Sequence, residues 1–470
     1  MFGLRKLRFA DLGTGLSMVV SSAGLLVASA LYAADPGCCR PAAPAVCNDQ
    51  IFMDAAERLK NLNPCVCAPG CTTAGPASDV CVPAAPACEP DCGHGCGLFG
   101  GELGEPWTVM SLFDDECGNN HFKDNGWIFG GFTQFGYQSN PDGAFAGNGP
   151  FVSQKEYKFF GLNQQYLYAG KVADGSKGFD WGFRADLMYG LDGNEGQAFG
   201  NINSGHYDYL NGWDHGAYEW ALPQLYAEVA IGNLSVKVGH FYTLMGYEVI
   251  PSNGNFFLSR QLTFYNSEPF THTGVMTSYK VNDKLLVHNC WVLGMDTGFY
   301  QFNKGNAYHG GLTYTVDDKT SFIYTTLLGN LGWRGDGAIN SFILSRKWTD
   351  KFSTVHQFDV LNSNLGTNFN APIAAGGGIA GDSIGLINYA FYDVSSKVKA
   401  GIRYEWYKPD GVSYQTLTGG VNVKPMANLV IRPEVRYMFS EGNQQTYTGP
   451  DYNGQLFNQT VFGIDAILTF

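Results

Sequence analysis

The residues with the most evident capacity for chemistry are the cysteines. All but one of the 12 lie between Cys38 and Cys117, and Cys290 stands apart. The set is Cys38, Cys39, Cys47, Cys65, Cys67, Cys71, Cys81, Cys88, Cys92, Cys96 and Cys117, spaced C-x-C-x3-C from Cys65 to Cys71 and C-x3-C-x3-C from Cys88 to Cys96. Structural zinc is usually held by paired C-x2-C knuckles or by cysteine with histidine, and His94 is the only histidine nearby, so no metal site is expected. In an exported chain these thiols are disulfide candidates, within the segment or between molecules. Their number is odd, which leaves Cys290 or another molecule to supply the last partner. The letters Gly95-Cys96-Gly97-Leu98-Phe99-Gly100 fit a dinucleotide fingerprint, but no strand precedes them and no βαβ unit surrounds them. The nine histidines are scattered, and Asp114-Asp115-Glu116 is a solvated linker. No local motif announces a nucleophile or paired carboxylates beside a histidine, so neither catalysis nor a cofactor is expected.

A second set of chemical groups consists of charges placed at every other residue. Arg184 and Asp186 interrupt the apolar series Phe179, Trp181, Phe183, Ala185, Leu187, Tyr189 and Leu191. Lys399, Arg403 and Glu405 lie opposite Val398, Ala400, Ile402, Tyr404 and Trp406, while Arg432, Glu434 and Arg436 lie opposite Leu429, Ile431, Pro433, Val435, Tyr437 and Phe439. A period of two is the signature of a strand, and it gives each strand one oily and one ionic face. Alternation alone fits a soluble β-sandwich as well as a barrel. The segments run about 10 to 13 residues, which suits a tilted bilayer crossing better than a globular strand. Aromatic residues near both of their ends match interfacial girdles.

Turn chemistry organises these strands. Short connections at Gly232-Asn233, Asn282-Asp283-Lys284, Asp317-Asp318-Lys319, Thr349-Asp350-Lys351, Ser395-Ser396 and Pro425-Met426-Ala427 alternate with long polar links at 192–217, 248–270, 362–382 and 440–457. Tight turns on one side and long loops on the other are the pattern of outer-membrane barrels. Counting hairpins from Trp127 to Phe470 predicts an all-β, antiparallel up-and-down transmembrane barrel of about 16 strands. Blurred alternation at Leu162–Val172, Tyr218–Ile231 and Tyr414–Lys424 leaves about 14 or 18 open. The last strand, with Thr460, Phe462, Ile464, Ala466, Leu468 and Phe470 on one face, gives the sharpest local signal.

Composition agrees. Charged residues make up only 15% of the 470 and aromatics 14%, with 61 glycines, against about 25% charged in an ordinary soluble domain. After the N-terminus no run approaches the roughly 20 apolar residues of a membrane-spanning helix. Arg5, Lys6 and Arg8 precede an apolar stretch from Leu16 to Tyr32 that ends in small residues around Ala30 to Ala34, which reads as a signal peptide over residues 1–33. Asp35-Pro36-Gly37 before Cys38 is not a lipobox. Residues 34–120 form an irregular cysteine- and proline-rich periplasmic or linker segment, and 121–470 the barrel. The net charge of −13, with no basic cluster, excludes a nucleic-acid partner.

Pro269-Phe270-Thr271-His272-Thr273-Gly274-Val275, followed by a hairpin from Tyr279 to Lys284, together with the signal peptide and closing Phe470, resembles the OmpL-like β-barrel porin family over about residues 120–470. The resemblance implies an outer-membrane porin without catalytic residues. With the oily faces toward lipid, Arg184, Asp186, Arg403, Glu405, Arg432, Glu434 and Arg436 are expected to line the pore, selecting small hydrophilic solutes or merely solvating the lumen. The link carrying Glu248, Arg260 and Glu268 among Phe256, Phe257 and Phe264 is too apolar for a free surface loop. It is expected either to fold inward as a constriction or to contact neighbouring subunits of a homotrimer. The expected function is passive diffusion. The alternative is a structural envelope protein whose barrel anchors a disulfide-cross-linked segment with disulfide-linked partners.

Overall fold

Turn residues and period-two patterning generate sixteen strands. They are β1 (Trp127–Gln138), β2 (Gly161–Lys171), β3 (Asp180–Gly190), β4 (Glu219–Ile231), β5 (Leu234–Tyr242), β6 (Thr271–Asn282), β7 (Leu285–Val292), β8 (Asn306–Asp317), β9 (Thr320–Asn330), β10 (Asp336–Lys347), β11 (Phe352–Ser363), β12 (Asp382–Asp393), β13 (Val398–Pro409), β14 (Tyr414–Met426), β15 (Leu429–Ser440) and β16 (Gln459–Thr469). Each pairs antiparallel with its sequence neighbours, and β1 closes on β16 from Phe132↔Thr469 to Gln138↔Gly463. The computed structural model describes residues 103–115, 118–139, 160–198, 207–208, 213–216, 218–364, 381–409, 411–441 and 458–470. The expected signal peptide and all eleven clustered cysteines lie outside these residues, as do most of the long links at 192–217, 362–382 and 440–457.

Burial separates a barrel in lipid from a soluble sandwich. On β13, Ile402 is 47% exposed while its strand neighbours Arg403 and Glu405 are at 0%. On β15 and β16, Val435 and Leu468 are exposed while Arg432, Glu434, Arg436 and Asp465 are buried. The fold is therefore apolar outside and ionic inside. Each large apolar side chain left in water forgoes about 1.5–3 kcal/mol of burial, which only a nonpolar solvent around the barrel would recover. Among the described residues no helix is long and apolar enough to cross a membrane.

The short turns fall where turn chemistry places them, for example between Ile231 and Leu234, Asn282 and Leu285, and Asp317 and Thr320. Ahead of β1, a 3-10 turn (Val109–Phe113) and a short helix (His121–Asp124) precede the barrel. Trp107 is tied to the β14–β15 turn: its N–H donates to Asn428 Oδ1 at 2.8 Å, and Asn428 Nδ2 donates to Trp107 O at 2.6 Å and to Thr469 O at 2.8 Å.

Candidate functional site: the inward β5–β6 segment

The connection between β5 and β6, residues 243–270, does not lie on the surface. Its apolar side chains are buried, Phe257, Leu258 and Leu262 almost completely, and its polar groups bond to the inner faces of strands around the barrel. Long connections of this kind in compact folds commonly carry function.

The walls are shaped to receive it. A side chain at Gly401 on β13 would strike the ring of Phe256, one at Gly420 on β14 would come within 3.2 Å of Phe257, and one at Gly463 on β16 within 2.9 Å of Leu258. Gly385 on β12 gives the same room to Thr263. All four occupy inward-facing strand positions. A glycine inside a strand weakens it and commonly marks a close approach by another group, which these positions show directly.

Ionic contacts fix the seated segment. A short helix within it (Leu262–Asn266) has its first amides satisfied by the wall: Glu405 accepts from Leu262 N at 2.7 Å, Thr263 N at 2.7 Å and Thr263 Oγ1 at 2.8 Å. Glu434 accepts from Leu258 N at 2.8 Å and Ser259 N at 3.2 Å. Arg403 donates to Glu248 Oε1 at 2.5 Å and to Ser259 O and Oγ at 2.9 Å each. Arg432 is held by Asp465 through two bonds and extends Nη1 to Ser252 O at 3.0 Å and Asn255 O at 2.6 Å. Arg436 donates to Arg260 O at 3.2 Å. Arg260 gathers the segment onto itself, donating to Val249 O, Leu258 O and Ile250 O.

The contacts reach far around the wall. On β2, Gln164 accepts from Ser252 N at 3.0 Å and donates to Ile250 O at 3.0 Å and Asp192 Oδ2 at 2.9 Å. On β11, Gln357 Nε2 donates to both Glu268 Oε1 at 2.5 Å and Asp359 Oδ2 at 3.0 Å. On β12, the Tyr389 hydroxyl bonds Glu248 at 2.9 Å and also contacts Gln261. The segment thus spans the interior from β2 to β11–β15.

Eight of the ten charges singled out in the sequence meet in this assembly. Arg184 and Asp186 stand apart: they pair with each other on β3, Arg184 lies over the Tyr168 ring, and Asp186 accepts from Tyr166 and Gln224. Of the eight, Glu248, Arg260 and Glu268 belong to the segment and Arg403, Glu405, Arg432, Glu434 and Arg436 to the wall, and all eight are buried. Sequence reading missed Gln164, Gln357, Tyr389 and the four glycines. A signal for two of the glycines existed, since Gly401 sits in phase with Arg403 and Glu405 and Gly463 with Asp465. The histidines are less scattered in space than in sequence: His272 and His309 lie ring to ring at 4.8 Å, and each Nδ1 donates to a backbone carbonyl, of Gly294 and Thr326. Cys290 is buried in an apolar cluster with Met245, Met276 and Leu327.

Burial pushes the Asp192 carboxyl, just beyond β3, up to about 7. Burial first, and then the charge of Asp359, holds Glu268 well above the usual carboxylate range. A carboxyl whose folded pKa is raised binds its proton more tightly when folded. Its contribution is complete below the unfolded pKa of about 4 and is lost as pH rises toward the folded value. The refolded barrel is therefore expected to lose thermal stability as pH rises from about 4 to about 7. The Asp192→Asn variant, which mimics the protonated carboxyl, should show a flatter profile in thermal scans. A slope identical to the parent's would remove Asp192 from the account.

No curated protein matches the chain. Among solved structures, the outer membrane channel DcaP of Acinetobacter baumannii aligns at a TM-score of 0.48 and 11% identity, covering 76% of this chain and 99% of that one. An anion-selective porin from Comamonas acidovorans aligns at 0.49 and 10%, covering 73% and 99%. A mutant of the Rh. blastica porin aligns at 0.43 and 12%, covering 73% and 100%. Residues 126–470 match the family described as "Putative beta-barrel porin-2, OmpL-like", and the chain belongs to that family.

Proposed function

We propose that this porin-family barrel sits in an outer membrane and passes small hydrophilic solutes or ions passively, along a path narrowed by residues 243–270. The observation that carries this reading is the inverted burial pattern, with an ionic inner wall and an apolar outer one. Because Arg403, Arg432 and Glu248 are neutralised by close partners, ion selectivity is expected to be weak. Assembly as a homotrimer belongs to the same proposal. Family and fold point to a channel rather than an enzyme.

The test is conductance of the refolded protein in a planar lipid bilayer at two salt concentrations. Stable steps that scale with salt, smaller than those of an unobstructed 16-strand pore, are expected. Silence from a demonstrably folded barrel would overturn the reading. It would favour a second one, a structural envelope protein, to which one observation already leans: Phe256, Phe257, Leu258 and Leu262 pack apolar surface into the interior.

A further inference from the structure

The stretch between Trp107 and β1 presents apolar side chains to the outside. Leu112 is 67% exposed and Phe113 45%, and Trp107 and Phe122 are also exposed. Nothing in a water-facing linker calls for such residues, and Asp114, Asp115 and Asp124 beside them supply all the polarity a linker needs. Their position explains them. Phe113 packs edge-on against Phe122 at 5.0 Å, and both rings contact Phe129 at 6.2 Å. Phe129 stacks on Trp127 at 6.0 Å, and Trp127 meets Phe183 at 5.7 Å.

Trp127 and Phe129 alternate with the inward Phe132 and Gln134, and Phe183 alternates with the inward Arg184. These rings therefore belong to the outer surface at the end of the barrel where β1 begins and the short β2–β3 turn lies. The exposed Phe179 and Trp181 continue the same band. The stretch is clamped in place at its start, where Asn428 joins Trp107 to the last strand.

We infer that residues 107–115 and 118–124 form an interfacial foot. They lie in the plane of the periplasmic leaflet, with Leu112, Phe113 and Phe122 inserted at the glycerophospholipid headgroup–acyl boundary as an extension of the barrel's aromatic girdle. The inference rests on the barrel being in a membrane. Its partner is lipid, on two grounds: the surface is continuous with the strands' own apolar face, and Leu and Phe side chains beside the amphipathic rings of Trp107 and Trp127 favour that boundary. Asp114 and Asp115, which accept from Asn120 and Asn119, supply the foot's polar groups.

The experiment uses the full chain refolded into vesicles of phosphatidylcholine and phosphatidylglycerol, with a photoreactive p-azidophenylalanine in place of Phe113 or, separately, of Asp115. Irradiation followed by mass spectrometry should show a phospholipid adduct at 113 and its loss at 115. A third protein with p-azidophenylalanine at the outward, mid-strand position Ile402 reports whether the barrel itself is in lipid. A lipid adduct at 402 with none at 113 overturns the foot while leaving the porin reading intact. Absence of adducts at both positions overturns the membrane reading and the foot with it. Leu112→Asp in the Phe113-substituted protein should abolish the lipid adduct at 113 while that at 402 persists, and an unchanged adduct at 113 would equally overturn the foot.

Discussion

Replacing residues 246–268 by a short glycine–serine linker is expected to raise single-channel conductance by on the order of tenfold, because a 16-strand barrel without inward obstruction encloses an aqueous channel. The segment owes its place to many small terms: wall carboxylates on its amides, three guanidinium groups on its carbonyls, and apolar side chains seated against glycines. Strand pairing uses none of these groups, and every ladder partner of β5 and β6 lies outside the deleted stretch. The barrel should therefore close without it. The check is step size in planar bilayers, together with resistance to detergent denaturation to show that the shortened protein is folded. Unchanged steps would mean that the solute path avoids the segment.

The second large effect is expected at Arg403. Its guanidinium is fully buried between Glu248 and Ser259, with Glu405 two residues along the same inner face. Arg403→Met keeps most of the volume but leaves Glu248 without its cation, and breaking a buried pair in this way costs about 3–5 kcal/mol. The strands have no need to absorb that cost, because the segment can detach. The expected result is faster proteolysis within residues 243–270 and noisier, larger conductance, with the barrel still closed. Adding Glu248→Gln removes the stranded charge and should recover a substantial part of the loss. If the double variant is as loose as the single one, the ion pair is incidental to seating the segment.

How much of this could be read from residues alone depends on how local the governing physics is. β3, β13 and β15 were expected at 179–191, 398–407 and 429–439 and occur at Asp180–Gly190, Val398–Pro409 and Leu429–Ser440. Alternation and turn residues decide such strands, and both are local. Even the blurred segments are strands, at Gly161–Lys171, Glu219–Ile231 and Tyr414–Met426. The blur at β2 and β4 has a cause, since register shifts interrupt the β1–β2 ladder at Gln134/Phe135 and the β3–β4 ladder at Asp186/Met188. A bulge shifts the phase of side chains and so erases the sequence signal.

The site was legible in part. The apolar content of residues 248–270 already spoke against a free surface loop, and the phase of Arg403 or Glu434 assigned them to the ionic face. What the segment touches was not legible. Glu405 at the start of a short helix, Gln357 between two carboxylates and Gly463 beneath Leu258 bring together residues far apart in sequence, and no period or motif encodes such pairings. Arg184 and Asp186 look the same in sequence as Arg432 and Glu434, yet they settle against Tyr166, Tyr168 and Gln224.

The seam between β1 and β16 sets the tempo of assembly. Ser139 and Phe462, which meet across it, are 323 positions apart, so the final ladder closes the longest loop in the molecule. Neighbouring hairpins can zip early, since each needs only a turn. Until the seam forms, the sheet has two bare edges that invite pairing with other chains. Folding of this protein is therefore expected to be limited by joining its two ends. The interval before that join is its period of greatest exposure to aggregation, and a factor that holds β1 ready for β16 would accelerate maturation without touching any other strand.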